Sequence, residues 1–317
     1  MISDPVYCPQ CGTRLQTKMI GDRPRPVCPD CGFIFYLNPI VAAGTLVERE
    51  GQVALVQRGV EPGYGRWGLP TGYAELGETA EEAAIRETWE EIHLRVELDG
   101  LLDALSYNTV KSQGVLLIYA ARVVSGELHA GDDAIDAGWF GPEALPDIAF
   151  RTHREVLRKW KQARAVTYRA ATLADAEVVA MLSQTHALEY GSDYGICVNA
   201  PHKKVFVAVD NGQIVGFTAI SISPHSRTAK IDGPFVLPRY RRWGIGTQLI
   251  ETGLDFSRRQ NVRTVLVEAP LGDLGWTVFV KIGFRVSGFT NDFYQGDHAN
   301  PETALFLSYD LQEPCRP

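Results

Sequence analysis

Glutamates gather at helical spacing in the stretch Gly72-Tyr-Ala-Glu-Leu-Gly-Glu78-Thr-Ala-Glu-Glu-Ala-Ala-Ile-Arg86-Glu87-Thr-Trp-Glu90-Glu91-Ile-His93-Leu94. A helix from Thr79 to about His93 would place Glu87, Glu90 and Glu91 on one face, because residues three and four apart are helical neighbours. Three converging carboxylates repel one another unless a cation sits between them. Hard oxygen ligands of this kind suit Mg²⁺ or Mn²⁺, which keep several waters and complete their shell with substrate phosphates. The implied substrate is a phosphate ester. Charge runs on helices are more often solvated surface, so the spacing carries the reading.

A second chemistry lies near the N-terminus. Cys8-Pro-Gln-Cys11-Gly12 and Cys28-Pro-Asp-Cys31-Gly32 repeat with sixteen residues between them, which is zinc-ribbon spacing. Each turn can aim two thiolates at one tetrahedral ion, and four sulfur ligands leave no open position. The site is therefore read as structural Zn²⁺, with a redox pair as the competing idea. Cys197 and Cys315 have no partner in sequence and are read as free cysteines.

These residues must be carried by a scaffold. Ile40 to Val47 and Val53 to Gln57 are apolar runs rich in branched residues, joined by a turn at Glu50-Gly51-Gln52, and read as adjacent antiparallel strands. Gly63 to Gly72 is a loop full of breakers leading into the acidic helix. Gly100–Ser106, Val115–Val124 and Ala137–Phe140 read as further strands, and Arg151–Ala163 as a basic amphipathic helix. This order suits a mixed sheet with helices on its faces.

The acidic stretch resembles a Nudix box. Gly72, Glu78, Arg86, Glu87, Glu90, Glu91 and Leu94 fall in the motif's places. Thr88 stands where an apolar residue is usual, and His93 where a glycine ends the helix in the left-handed conformation, at a cost of about 1 kcal/mol for a side chain. With the ribbon, Phe35-Tyr36, Trp67-Gly-Leu-Pro70 and Trp139-Phe140, residues 5 to 160 resemble the Nudix branch that cleaves dinucleotide-type diphosphates such as NADH, ADP-ribose or FAD. That branch's NADH enzymes carry a Ser-Gln-Pro-Trp-Pro-Phe-Pro segment, which has no counterpart between Leu94 and Asp147, so the expectation shifts to ADP-ribose, FAD or another nucleoside diphosphate linked to a group X. The resemblance implies Glu87, Glu90 and Glu91 as metal ligands, with Glu91 shared between ions and Arg86 orienting the carboxylates. Glu78 would join the metal shell or cap and orient the helix. Asp133 and Asp136 stand where a loop-borne general base could lie, beside the plainer reading of a solvated turn. Tyr36, Trp67, Tyr73 and Tyr107 could stack on a base, though most aromatics near a sheet are core.

The second half begins close to Ala165, with a strand at Val166–Arg169 and a capped helix start at Thr172. Strands Val205–Val209 and Ile214–Ile222 flank Asp210-Asn-Gly212, a hairpin turn. Ile231 to Leu237 then leads through Arg241-Arg242-Trp243-Gly244-Ile245-Gly246-Thr247 into an amphipathic helix. Backbone N–H groups at such a helix start, with the helix dipole behind them, can cradle a pyrophosphate. Together with Val265–Ala269 and Phe279-Val-Lys-Ile-Gly283-Phe284, this resembles the acetyl-CoA motif of GNAT acetyltransferases over residues 166 to 311. The resemblance implies Arg241, Arg242, Gly244, Ile245, Gly246 and Thr247 around the pyrophosphate, and Val236 and Leu237 along the pantetheine arm. Many GNAT enzymes place a proton-donating tyrosine where this chain has Phe279, so Asp232 and Glu268 are the candidates for proton transfer, directly or through water.

The expected architecture is α/β of the α+β type: a zinc ribbon over 1–37, a Nudix α/β/α sandwich over 38–164 and a GNAT mixed-sheet domain over 165–317. The 317 residues, 45% apolar and 22% charged, suffice for two cores. A net charge of −7 argues against nucleic acid as main partner. Neither an apolar span nor a signal peptide is evident, so no membrane association and a cytoplasmic location are expected. The expected function is bifunctional: metal-dependent hydrolysis and transfer from acetyl-CoA to an unknown amine acceptor, with a homodimer allowed. A ligand-sensing second half, or cleavage of coenzyme A derivatives by the first, are the alternatives.

Overall fold

The computed structural model describes residues 5–108, 113–190, 198, 202–272, 274–294 and 302–311. Cys197 and Cys315 lie outside them. No helix among the described residues is long and apolar enough to cross a membrane. The chain divides into two compact units, Met1–Arg158 and Lys159–Pro317.

In the first unit, β1 (Gln16–Ile20) and β2 (Arg23–Val27) form an antiparallel ribbon beside the cysteine turns. The expected hairpin of β3 (Ile40–Arg49) and β4 (Gln52–Arg58) pairs only at its tip, Glu48 with Val53 and Arg49 with Gln52. Beyond it the strands part. β3 runs parallel to β8 (Gln113–Ser125) and also takes β6 (Thr71–Tyr73), whereas β4 pairs with β5 (Trp67–Gly68) and β9 (Ala134–Phe140). The segment ahead of the acidic helix has wedged itself along β3. Gly44 permits this, since a Cβ there would overlap Pro70 and Thr71. β7 (Arg95–Asn108) pairs antiparallel with β8 and completes the mixed sheet.

Helix α1 (Ala80–Ile92) starts at a capping box, with the Thr79 hydroxyl accepting from the Glu82 N–H and the Glu82 carboxylate accepting from the Thr79 N–H. It buries a stripe of Ala83, Ala84, Thr88 and Ile92. The alanines allow close approach to Ala43 and Tyr119. Ile92 and Leu94 pack with Val47 and Val56, each burial stabilising by about 2 kcal/mol. Thr88 causes no deficit in this core: its hydroxyl donates to the Ala84 carbonyl at 2.6 Å and accepts from Thr45 at 2.7 Å. His93 ends the helix at φ 53°, and its ring packs edge-on against Trp89 and His129. Helix α2 (Arg151–Arg164) docks its first turns through buried His153.

The second unit is a sheet ordered β10-β11-β12-β13-β14-β16-β15. Its strands are β10 (Thr167–Ala170), β11 (Lys203–Asp210), β12 (Gln213–Ser223), β13 (Thr228–Val236), β14 (Thr264–Pro270), β15 (Arg285–Tyr294) and β16 (Glu302–Asp310). Its helices are α3 (Ala176–Tyr190), α4 (Ile245–Arg259) and α5 (Thr277–Ile282). Asn211 and Gly212 both have positive φ, as the tight turn between β11 and β12 requires. The pair β13–β14 is parallel, and its pairing stops at Ile231 opposite Val267. Past that point the two strands separate. Helix α4 buries Ile250 and Leu254 in the core of Ile220, Ile231 and Val265, and Leu249 in a neighbouring cluster with Ala208, Val215 and Val236.

Candidate functional site

The four ribbon sulfurs lie within 4.8 Å of one another, with Cys8–Cys31 and Cys11–Cys31 at 3.6 Å and Cys11–Cys28 at 3.4 Å. A tetrahedron with Zn–S bonds of about 2.3 Å has edges of about 3.8 Å, so this donor set fits zinc. Gly12 and Gly32 close the two turns at φ 73° and 76°, each N–H returning to the carbonyl of the first cysteine.

Around the acidic helix, Arg86 is the hub. Its Nε and one terminal nitrogen hold Glu78 at 3.1 and 2.7 Å, the latter also reaching the Tyr73 carbonyl at 3.0 Å. The other nitrogen holds Glu87 at 2.7 Å and Glu90 at 2.9 Å. All five guanidinium donors are thereby used. The guanidinium holds the Glu78 carboxyl below its usual range, and the carboxylates raise Arg86 in turn. Gly72 belongs to this geometry, because a Cβ there would overlap the Glu87 carboxylate.

Glu91 is held differently. The Thr71 N–H donates to its Oε2 at 3.0 Å, and burial pushes its carboxyl up to about 8. Burial also raises Glu87. Among the described residues, the cysteines alone gather three or more ligand atoms within 4.8 Å. Glu87 and Glu90 share one side of Arg86, and Glu91 belongs to Thr71. One oxygen each of Glu87, Glu90 and Glu91 stays clear of these bonds. Hard oxygen donors of this kind, with Glu87 and Glu91 carrying a desolvation penalty that a cation would offset and Glu90 exposed beside them, fit Mg²⁺ or Mn²⁺.

The loop after β8 reaches this helix end: the Gly131 N–H donates to the Glu91 carbonyl at 3.0 Å. The charge in this loop that bears on Glu91 is Asp132. Asp133 and Asp136 are exposed, with the Asp133 carbonyl accepting from Gly59 and the Asp136 carboxylate from Ala137. Thr71 and Asp132 were outside the sequence reading; the wedge of β6 against β3 that brings Thr71 in has no local sequence signal. Of the aromatics, Trp67 packs edge-on against Phe140, Tyr36 lies under Arg25, Tyr73 is exposed and Tyr107 places its hydroxyl against Gly114.

In the second unit Arg242 and Gly244 take φ 69° and 83°, curling the loop ahead of α4. The first helical bond spanning this turn runs from Gln248 N–H to the Gly244 carbonyl at 3.0 Å, so the N–H groups of Ile245, Gly246 and Thr247 precede any intrahelical partner. An anion seated at this turn would meet these N–H groups, the arrangement of a backbone nest. Val236 and Leu237 are largely engaged by the protein: Arg241 Nε donates to the Val236 carbonyl at 2.8 Å, and the Leu237 N–H donates to the Val215 carbonyl at 2.9 Å. Where β13 and β14 part, buried Asp232 pairs with Lys203 at 3.0 Å and Lys230 at 3.7 Å, and Lys230 reaches Glu268 at 3.2 Å. Phe279 is buried edge-on against Phe284, as core.

The family model of the NUDIX domain matches residues 38–160, the Nudix N-terminal ribbon matches 6–37, and the acetyltransferase (GNAT) family matches 167–284. The chain is 36% identical over 131 residues to an ADP-ribose pyrophosphatase of Methanocaldococcus jannaschii, covering 40% of this chain and 77% of that one. It is 30% identical over 114 residues to a streptothricin acetyltransferase of Streptomyces lavendulae, which covers 35% of this chain; the chain spans 58% of that relative's length. A solved NUDIX hydrolase from Nitrosomonas europaea is 34% identical, covers 50% of this chain and 91% of its own, and has a TM-score of 0.47. The chain belongs to the Nudix hydrolases, carrying the family's N-terminal zinc ribbon and, fused behind it, a GNAT acetyltransferase domain.

Proposed function

We propose that the chain is a bifunctional enzyme. A ribbon over 1–37 leads into a hydrolase over 38–164 that cleaves a nucleoside diphosphate linked to X, and an acetyltransferase occupies 165–317. The observation that carries the hydrolase reading is the division of labour around Arg86: one guanidinium orders Glu78, Glu87 and Glu90, a backbone N–H orders Glu91, and each of the last three keeps an oxygen for Mg²⁺ or Mn²⁺. When bound, the ions would neutralise diphosphate oxygens and activate the attacking water. The chain's own part is positional. Arg86 keeps two mutually repelling carboxylates side by side, Glu78 anchors Arg86, and Glu91 gives up the proton that burial favours when a cation arrives. ADP-ribose is the preferred substrate, supported by the name of the 36% identical relative.

For the second half we propose transfer of an acetyl group from acetyl-CoA to an amine acceptor. Arg241, Arg242 and the N–H groups of Gly244, Ile245, Gly246 and Thr247 would receive the pyrophosphate, and Val236 and Leu237 would flank the pantetheine arm through side chains, since the carbonyl and N–H named above are taken. The acceptor would enter where Asp232 and Glu268 stand at the parting of β13 and β14. Zinc would be structural, and four thiols suit a reducing, cytoplasmic compartment.

The hydrolase is tested by measuring AMP release from ADP-ribose with Mg²⁺, wild type against Glu91→Gln. Turnover lost in a folded variant supports the assignment, and unchanged turnover sinks it. For the acetyltransferase, calorimetry should show acetyl-CoA binding, and no heat would remove that reading.

A further inference from the structure

His153 lies far along the chain from the acidic helix, in the first turn of α2, yet it reaches the segment that holds Glu91. The imidazole is buried at 3% exposure and stacks edge-on against Phe150. Its Nδ1 lies 3.1 Å from the backbone nitrogen of Leu69, and its Nε2 lies 3.5 Å from the Thr71 hydroxyl. An N–H facing Nδ1 requires an unprotonated nitrogen, so the ring proton sits on Nε2, toward Thr71. Burial, together with the Arg58 and Arg154 guanidiniums, pushes the imidazolium down to about 3, and the ring stays neutral. Gly68 leaves space for the contact: a Cβ there would come within 2.8 Å of Nδ1.

The stretch this ring grips has two attachments to the acidic helix. The Thr71 N–H donates to Glu91 at 3.0 Å. Gly72, the next residue, is the one that leaves room for the Glu87 carboxylate. The same stretch is fixed on its other side by the Thr45 N–H, which donates to the Pro70 carbonyl at 3.1 Å. Between Gly68 and Gly72, therefore, backbone position and carboxylate position are one problem.

We propose that His153 is a positioning residue of the metal site, its neutral ring fixing Leu69 to Thr71 so that the Thr71 N–H meets Glu91 and Gly72 clears Glu87. It touches neither substrate nor metal. Its action runs through the Leu69 N–H and the Thr71 hydroxyl, as outer partners of metal ligands act elsewhere. The inference rests on the reading of Glu87, Glu90 and Glu91 as the cation's donors.

The test is Mn²⁺ binding to the full-length, zinc-loaded protein freed of Mg²⁺ and Mn²⁺, read as loss of the free Mn²⁺ signal by electron paramagnetic resonance. It compares wild type, His153→Phe, His153→Asn and Glu91→Gln. Phenylalanine keeps the ring and deletes the acceptor, and asparagine returns an oxygen near the place of Nδ1. His153→Phe should weaken Mn²⁺ binding about 10- to 100-fold, and His153→Asn should recover most of that loss. Wild-type affinity in His153→Phe, or equal loss in both variants, overturns the role of the acceptor. If His153→Phe does not fold, His153→Leu against His153→Asn makes the same comparison. Glu91→Gln separates the two levels of the argument: binding unchanged in that variant removes the metal-site reading and this inference with it, whereas binding lost there but intact in His153→Phe removes only the inference.

Discussion

Glu91 makes stability depend on pH in a direction opposite to that of most carboxylates. Burial raises its carboxyl from 4.5 to about 8, so over that interval the unfolded chain has released a proton that the folded chain retains. Where the native state binds more protons, stability falls as pH rises. The contribution is complete below about pH 4.5 and is lost as pH climbs through about 8. Between about pH 5.5 and 8 these two values correspond to a loss of about 3 kcal/mol in the metal-free protein. That is a large part of the stability of a domain this size. A cation on the carboxylates should restore it, most strongly at high pH. The assay is urea denaturation of zinc-loaded protein freed of Mg²⁺ and Mn²⁺ across this pH range, following the transition that Mg²⁺ shifts, in wild type and Glu91→Gln. A chain of two compact units is expected to unfold in more than one transition, so the Mg²⁺-sensitive one is followed. Wild type should lose stability toward pH 8, and the variant should lose about 3 kcal/mol less. Parallel curves for the two proteins would refute the burial argument.

Other consequences concern single groups. Arg86→Gln removes the charge that draws Glu87 and Glu90 together and should lower hydrolysis about 100-fold in a protein whose circular dichroism is unchanged; activity within a factor of two would refute the hub. Gly72→Ala places a methyl in the Glu87 carboxylate and should weaken Mg²⁺ binding more than about tenfold, measured calorimetrically. Tyr240→Phe deletes the hydroxyl that donates to buried Asp210 at 2.6 Å and should cost about 2 kcal/mol in the second unit's transition, with Gln162 still serving that carboxylate at 2.5 Å. Native mass spectrometry should find one zinc per chain, lost on replacing Cys8 and Cys28 by serine; a metal-free ribbon with four intact thiols would overturn the site.

Local pattern made part of this molecule legible. The acidic helix could be placed from its own period, and its end at His93 from the glycine that the motif normally puts there. The hairpin at Asp210-Asn-Gly212 and the helix start at Gly244 follow from residues that tolerate positive φ. Thr88 looked like a fault in an apolar stripe and is instead half of a buried hydroxyl pair with Thr45. That partner lies 43 residues away, and nothing periodic points to it. The same holds for Thr71 beside Glu91, 20 residues apart, and for His153 beside Thr71, 82 apart. The β3–β4 hairpin shows the limit from another side. Its tip was readable from Gly51, but the divergence beyond depends on Thr71–Tyr73 competing for the β3 edge, a contest between distant segments. Helices and turns are set by neighbours in sequence, whereas a carboxylate's orientation here is set by backbone groups that only the assembled sheet brings near.

The box carboxylates are proposed to run a metal-dependent diphosphate cleavage. The most direct measurement is product release from ADP-ribose, FAD, NADH, coenzyme A and nucleoside triphosphates, each with Mg²⁺, with Mn²⁺ and with neither. AMP should appear from ADP-ribose or a close relative only when metal is present, with NADH poorer. Silence across the panel in a zinc-loaded, folded protein would contradict it.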